Sequence, residues 1–375
     1  MTPLSTRTFG RTTKFQMLCH QLYELAHRLG PDAKLPTVVQ LRDSMDVSMA
    51  TLNSALKELE TQNIIYRKHG VGIYVSSELH QKSVCLVCDP TFMSSANHSP
   101  FWDIMMVQAR ERASTHNEHF ELHFTQPNGA LNEPLQRGLA RDIKEGKVDG
   151  IIGVGFEMNA VEWIEAQGVP FVSVFGPGSY NLGLDYECFF RLGIQQLQAS
   201  GCQRLGLWMP VVPNRLRDLQ LDLNADRCHE FVALMDEAGL ITYPELIQLN
   251  QHLLPNLGDV TTQSHQEQGF LTAERVFGKS RSEWPDAILS TDDMMTHGAL
   301  MAMQKLGVQA GVDVQVVSHA NRGSSALIGR EKELALLEYD PIEIVNTAFS
   351  MLESLMEGRK PLQEEVLVQP QLRRP

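Results

Sequence analysis

The chain has 375 residues, 43% hydrophobic and 21% charged, with a net charge of −13. That is room for two or three domains in proportions ordinary for a water-soluble protein, and it excludes a uniformly basic nucleic-acid coat. Charge is uneven, however: the first 82 residues hold ten Lys/Arg against seven Asp/Glu, a slightly basic head on an acidic body. No apolar run approaches the ~20 residues that cross a bilayer, and the opening MTPLSTRTFGRTTKFQ lacks the apolar core of a secretion signal. Six scattered cysteines fit a reducing cytoplasm better than a disulfide scaffold.

Arg7, Arg11 and Lys14 make a basic lead-in, either a solvated terminus or an arm for a duplex. Phe15, Leu18, Leu22, Leu25 and Leu29 alternate spacings of three and four, which predicts an amphipathic helix over 14–29. Gly30-Pro31-Asp32 ends it. Thr37 and Gln40 stand at the spacing of a capping box, so a short helix should run from Val38 to about Met45. After Asp46-Val47, Ser48 can cap a second helix. This one has Leu52, Leu56 and Leu59 on a buried stripe and Ala50, Asn53, Ser54 and Lys57 on another. Two short helices joined so tightly match a helix-turn-helix. Residues 64–67 and 73–75 read as strands around Lys68-His69-Gly70-Val71-Gly72, a hairpin with a flexible, basic tip.

The stretch LPTVVQLRDSMDVSMATLNSALKELETQNIIYRKHGVGIYV, gapless from Leu35 to Val75, resembles the winged-helix domain of the GntR family of bacterial transcription regulators. The resemblance implies a helix inserted into a groove of double-stranded DNA. Thr37, Arg42, Ser48, Met49, Ala50, Thr51, Asn53, Ser54 and Lys57 would lie on or beside it, and Arg67, Lys68, His69 and Gly70 on the wing. Family members usually carry basic residues at the positions of Val39, Met49 and Asn53. Their loss leaves Arg42, Lys57, Arg67 and Lys68 for phosphates, Asn53 for an adenine edge and Met49 for a thymine methyl. The competing reading is a winged helix kept for protein contacts alone.

Residues 76–82 (SSELHQK) turn polar and lose periodicity, a linker between a head over 1–75 and a body over 83–375. Strand and helix then alternate. Strands are expected at 84–88, 120–124, 148–154 and 170–175, with helices at 101–116, 133–145 and 159–167. A second series has helices at 187–200, 227–238, 266–277 and 294–306 and strands at 204–209, 246–249, 287–290 and 313–318. Serial β–α units imply parallel sheets covered on both faces, and two series imply two lobes. The expected fold is an α+β winged helix-turn-helix head joined to a two-lobed α/β body.

VDGII from Val148, LQASGCQRL from Leu197 and DAILSTDDMMTHGA from Asp286 are similar to the type I periplasmic-binding-protein fold of LacI/GalR-family repressors. Leu306-Gly307-Val308 and Val314-Gln315-Val316-Val317 continue the likeness, which spans about 83–374. A GntR-type head on a LacI-type body is a combination known among regulators of sugar utilisation. The resemblance implies a ligand cleft between lobes, at the carboxyl ends of the strands. Arg227, at the start of its helix, would bind ligand oxygens through its guanidinium fork. Asp292 would accept hydrogen bonds from the ligand, and Asp293 would cap the helix that follows. Ser99, Phe101 and Trp102 parallel a segment that presents an aromatic face to a pyranose, and Asp185 and Tyr186 stand at a crossing between lobes. Arg227 also reads as the partner of a lobe-surface acid, and Trp102 as helix–sheet core. Sugar-binding members often have an Asp after the last strand of the second series. Here Ser318-His319-Ala320-Asn321 leaves Asn321 as the acceptor, which widens the ligand class to an unusual sugar, a derivative or another small molecule.

Other patterns weigh less. His119, Glu121 and His123 alternate along one strand like a metal triad, but read as the solvated face of an edge strand. Cys85-x-x-Cys88 lies in an apolar strand with no second pair at zinc spacing. No metal and no cofactor is expected, and without G-x-S-x-G, P-loop or H-E-x-x-H, no enzyme. The expected protein is a cytoplasmic, ligand-responsive repressor of carbohydrate-utilisation genes, a homodimer on a pseudo-palindromic operator with a sugar-like effector. Two alternatives stay open: a sensor whose head no longer binds DNA tightly, and a body that serves only dimerisation.

Overall fold

The computed structural model describes residues 14–77, 79, 81–88, 99–116, 118–125, 135–211, 217–249, 264–330 and 332–373. Arg7, Arg11, the loop 89–98 and the expected helix start at 133–134 lie outside them. The chain divides into two compact units, the first reaching to Lys82 and the second beginning at Ser83.

The first unit holds α1 (Lys14–Leu29), α2 (Val38–Met45), α3 (Met49–Thr61), β1 (Ile65–Lys68) and β2 (Gly72–Val75). Local chemistry sets the helix bounds. The Gln40 backbone N–H donates to the Thr37 hydroxyl while the Thr37 N–H donates to the Gln40 side chain, the reciprocal capping box. Asp46 closes α2 in the left-handed region at φ 50, and Ser48 accepts from the Thr51 N–H to open α3. Leu18, Leu22, Leu41, Leu52, Leu56, Leu59 and Ile65 bury together in a core of their own. The hairpin pairs Ile65 with Val75 and Lys68 with Gly72, antiparallel. Gly72 has φ 147, and a Cβ there would stand 2.7 Å from the Lys34 side chain, so the base of the wing requires glycine.

The second unit opens with β3 (Ser83–Cys88), α4 (Pro100–Thr115), β4 (His119–Phe124), α5 (Arg137–Lys144), β5 (Gly150–Val154), α6 (Met158–Ala166), β6 (Phe171–Val174) and β7 (Asn181–Leu184). It continues through α7 (Tyr186–Ala199), β8 (Leu205–Trp208), α8 (Arg217–Glu237), β9 (Ile247–Gln248), α9 (His265–Phe277), β10 (Ala287–Ser290), α10 (Asp293–Leu306), β11 (Gln315–Asn321) and β12 (Ala335–Tyr339). It closes with α11 (Pro341–Met356), β13 (Glu365–Val368) and β14 (Gln371–Arg373). The strands form two six-stranded sheets, ordered β13-β7-β6-β5-β3-β4 and β14-β12-β11-β10-β8-β9. From β13 to β3 and from β12 to β9 neighbours run parallel, and β14 is antiparallel on β12. Every residue of β5, β6, β8 and β10 is buried, as parallel strands covered on both faces require. No helix among the described residues is long and apolar enough to cross a membrane.

The chain passes between the lobes three times. β7 of the first sheet leads into α7, which packs on β10, β11 and β12 of the second. β12 leads into α11, which packs back on β5, β6 and β7, and β13 of the first sheet gives way to β14 of the second. The crossings are tied together. The Asp185 N–H donates to the Val368 carbonyl at 2.9 Å, the Tyr339 hydroxyl to the Asp185 carbonyl at 3.1 Å, and the Gln369 amide to the Asp185 carboxylate at 3.3 Å.

Several local expectations are corrected. The structure adds β7, β12, α11, β13 and β14 to the expected elements. α8 begins at Arg217, so Arg227 sits well inside the helix rather than at its start. β11 runs on through Asn321, which places Ala320 and Asn321 within the strand rather than after it.

Candidate DNA surface and ligand site

In the first unit, Ala50, Asn53, Ser54 and Lys57 are all exposed along α3, opposite the buried leucine stripe. Met49, at the helix start, is 36% exposed and Val39, where the family carries a base, 52%. Thr37 and Ser48 spend their hydroxyls on caps, and the Thr51 hydroxyl meets that of Ser48 at 2.8 Å. Arg42 bonds Asp43 at 2.6 Å, and Arg67 stands 3.3 Å from Glu60. Both pairs are solvent-facing, so opening either costs less than ~1 kcal/mol. The Lys68 ammonium lies over the rings of Tyr66 and Tyr74, 5.5 and 4.8 Å from their centroids, which holds it on the wing. His69 and Gly70 are exposed at the turn, Gly70 with φ 70.

In the second unit, polar groups gather around the first two crossings. The Arg227 guanidinium stacks 3.8 Å from the centroid of Tyr186, so it meets an aromatic face. Asp185 caps α7 by accepting from the Cys188 N–H at 2.8 Å. His319, buried on β11, packs 5.1 Å from Tyr339 and 6.4 Å from Phe189, ring to ring. Asp292, not Asp293, caps α10. It is extended at φ −150, and its carboxylate accepts from the Met295 N–H at 2.7 Å and bonds His265 Nδ1 at 2.9 Å. The cap belongs to the last residue before helical dihedrals begin, and Asp293 is already inside the helix. The buried Asp293 carboxylate instead accepts from the Ser324 hydroxyl at 3.2 Å and the Asn321 amide at 3.4 Å, which commits that amide to the protein.

Burial and mutual charge divide these groups. Burial, reinforced by the Asp292 charge, pushes the Asp293 carboxyl up to about 7. Burial would raise Asp292 too, but the neighbouring His265 outweighs it and holds that carboxyl below its usual value. His265 mirrors this: burial would lower it, and Asp292 more than offsets the loss, leaving it raised. Burial pushes His319 down to about 4, so it is neutral at physiological pH. The site therefore presents a hydrogen-bonded carboxylate–histidine pair, each member favouring the other's charged form, beside a neutral imidazole. His265 Nε2 and His319 Nδ1 are buried without a hydrogen-bond partner, two polar atoms that a bound molecule would satisfy. Neither histidine was assigned a role from sequence. His319 stood in a segment noted for its missing Asp, and nothing local marked His265.

Asp293 yields a pH prediction. An acid whose pKa rises on folding, here from 3.8 to about 7, binds its proton more tightly in the folded state. Stability from this group is therefore lost as pH climbs between those values. Asp293→Asn removes the loss. In denaturant titrations its unfolding free energy should gain on the wild type steadily from about pH 4 to about pH 8. A constant difference would mean that Asp293 ionises as freely as in water.

On the first lobe, Ser99 caps α4, accepting from the Phe101 N–H at 3.3 Å. Phe101 and Trp102 are each 7% exposed and meet edge to face at 5.0 Å, with Trp102 inside the helix–sheet core. Phe101 also meets Phe175 at 5.8 Å. Phe175, just past the carboxyl end of β6, has φ 58, a left-handed conformation that costs a bulky side chain and recurs at functional sites.

Residues 24–75 match the bacterial regulatory proteins of the gntR family, and residues 194–374 the periplasmic-binding-protein-like domain. An arabinose metabolism transcriptional repressor of Halalkalibacterium halodurans is 22% identical over 355 residues, covering 88% of this chain and 85% of its own. Among solved structures, a LacI-family regulatory protein from Chloroflexus aggregans superposes with a TM-score of 0.61 at 19% identity, over 77% of this chain and 96% of that one. The cellobiose complex of the transcriptional regulator CelR gives 0.59 at 16% identity, over 97% and 98%. A winged helix-turn-helix head followed by a two-lobed body of the periplasmic-binding type defines the class. The chain is a transcription regulator that joins a GntR-type head to a periplasmic-binding-protein-like body with the fold seen in LacI-family structures, and the arabinose repressor it resembles is likewise a regulator, not an enzyme.

Proposed function

We propose that this regulator represses carbohydrate-utilisation genes in the cytoplasm. In this reading a head over 1–75, joined to the body by a linker over 76–82, binds a pseudo-palindromic operator as part of a homodimer, since paired winged helices read half-sites related by the dimer axis. The body over 83–375 takes a small polyhydroxylated molecule between its lobes. One observation supports the ligand half: Arg227 stacks on Tyr186 and buried His319 packs on Tyr339, both residues beside chain crossings between the lobes, and the His265–Asp292 pair lies near enough to His319 to interact with it electrostatically. A molecule bound there interacts differently with open and closed lobes, and only such a difference shifts an equilibrium. The arabinose repressor among its relatives and the cellobiose complex among its structural neighbours support a carbohydrate.

The test begins with a thermal-shift screen of sugars and sugar derivatives on the full-length protein, followed by DNA titration with the hit. A coupling of ~1–3 kcal/mol weakens DNA binding by roughly 5–150-fold. Arg227→Ala should keep DNA affinity and lose the response. A ligand that stabilises the protein yet leaves DNA affinity unchanged would reject the coupling and leave the body a dimerisation module.

A further inference from the structure

Away from the ligand site, Cys85 on β3 and Glu121 and His123 on β4 bring a thiol sulfur, a carboxylate oxygen and an imidazole nitrogen within 4.8 Å of one another. The two strands are neighbours, and β4 is the edge of its sheet. Alternation along β4 turns Phe120 and Phe124 toward the core that contains Cys88. Glu121 and His123 turn to the opposite face, where Cys85 packs among Leu139, Ile143 and Val148. His123 Nε2 stands 2.8 Å from a Glu121 oxygen. Two patterns that look unrelated along the chain, a Cys-x-x-Cys and an alternating His-Glu-His, thus contribute one member and two members to a single cluster.

We propose that Cys85, Glu121 and His123 bind a divalent transition-metal ion of the zinc class. The donor set selects the ion. Thiolate and imidazole suit zinc and its neighbours in the first transition row, whereas magnesium and calcium take oxygen. Metal–ligand bonds of ~2.3 Å to sulfur and ~2.0–2.1 Å to nitrogen or oxygen place tetrahedral donors about 3.5 Å apart. The cluster reaches that spacing through side-chain shifts of about 1 Å, and exposed Glu121 and half-buried His123 have room to make them. Charge also closes: one thiolate and one carboxylate balance a dication, with the imidazole neutral. On binding, the Cys85 S–H proton leaves to solvent as the metal–sulfur bond forms, so affinity falls as pH falls. Glu121 is exposed on the edge strand while Cys85 is buried, so an ion enters from the carboxylate side of the cluster. Bound, the ion cross-links β4 to β3.

Cobalt(II) is the probe, added to the full-length protein after chelation and dialysis. The expected result is one equivalent bound, with a thiolate-to-cobalt charge-transfer band in the near ultraviolet that zinc displaces. That band should vanish in Cys85→Ser and weaken strongly in His123→Ala, although five other free cysteines remain. His123→Ala alters a half-buried edge residue, and its thermal midpoint without metal reports whether the fold is kept should Cys85→Ser prove unstable. No charge-transfer band in the wild type, or a band that survives both substitutions, would overturn the site and leave a carboxylate–imidazole pair above a buried thiol.

Discussion

Replacing Lys57, Arg67 and Lys68 together by glutamine should lower the affinity of the full-length protein for duplex DNA by about 100-fold at physiological salt. Each cation that neutralises a phosphate releases counterions and adds ~0.9 to the slope of log affinity against log salt. Three lost contacts reduce that slope by about 2.7, which between 1 M and 0.15 M salt is a little over two decades. Lys57 is exposed on α3 beside Asn53 and Ser54, and the other two lie on β1 at the wing. Their present partners, Glu60 for Arg67 and the rings of Tyr66 and Tyr74 for Lys68, are weak enough to exchange for phosphate. None of the three belongs to the head's core, so the thermal midpoint should hold. Because the effect does not depend on sequence, fluorescence anisotropy on any duplex across a salt series measures it. A triple variant with the wild-type slope would mean that these residues face no phosphate. The reading of a sensor whose head has lost DNA binding would then take over.

Gly298→Ala should cost the body ~3 kcal/mol or more, with a fall of roughly 6–12 °C in its thermal midpoint. A Cβ on Gly298 would stand 1.8 Å from the Gln266 carbonyl oxygen on α9, and one on Gly269 would stand 1.9 Å from that of Met295 on α10. Those obstacles are backbone, which no rotamer change clears, so the two helices must part. The damage extends to the site. His265 begins α9 and Asp292 caps α10, so parting the helices stretches the 2.9 Å contact that makes the pair. Loss of ligand response should therefore accompany loss of stability. Gly138→Ala on α5 is the control: a Cβ there meets nothing within 4 Å, and the variant should be neutral or gain ~0.5–1 kcal/mol. Chemical denaturation of both variants decides. A Gly298→Ala protein as stable as the wild type would show that the helices separate freely.

The head was legible almost to the residue because its signals are local. Leucine spacing places α1, the Thr37–Gln40 box starts α2, and Ser48 starts α3, each within one turn of the chain it organises. In the body the same reasoning found most strands, since parallel strands buried on both faces are plain apolar runs. It failed on β7, whose NLGL is too short and too rich in glycine to stand out, and on Arg227, where the start of α8 lies ten residues earlier than expected. It also gave the cap of α10 to Asp293 rather than Asp292, because adjacent carboxylates look alike until backbone dihedrals say which one precedes the helix.

Composition, spacing and caps determined that this chain carries a winged helix and two α/β lobes, because each depends on neighbours within about ten residues. Only the tertiary structure decided that α11 and β13 return to the first lobe, that His265 meets Asp292 across 27 residues, and that Cys85 meets Glu121 and His123 across adjacent strands. A hydrogen bond or a ligand set is a matter of a few ångströms in space. Periodicity records which side of a helix or strand faces inward, not what stands opposite it.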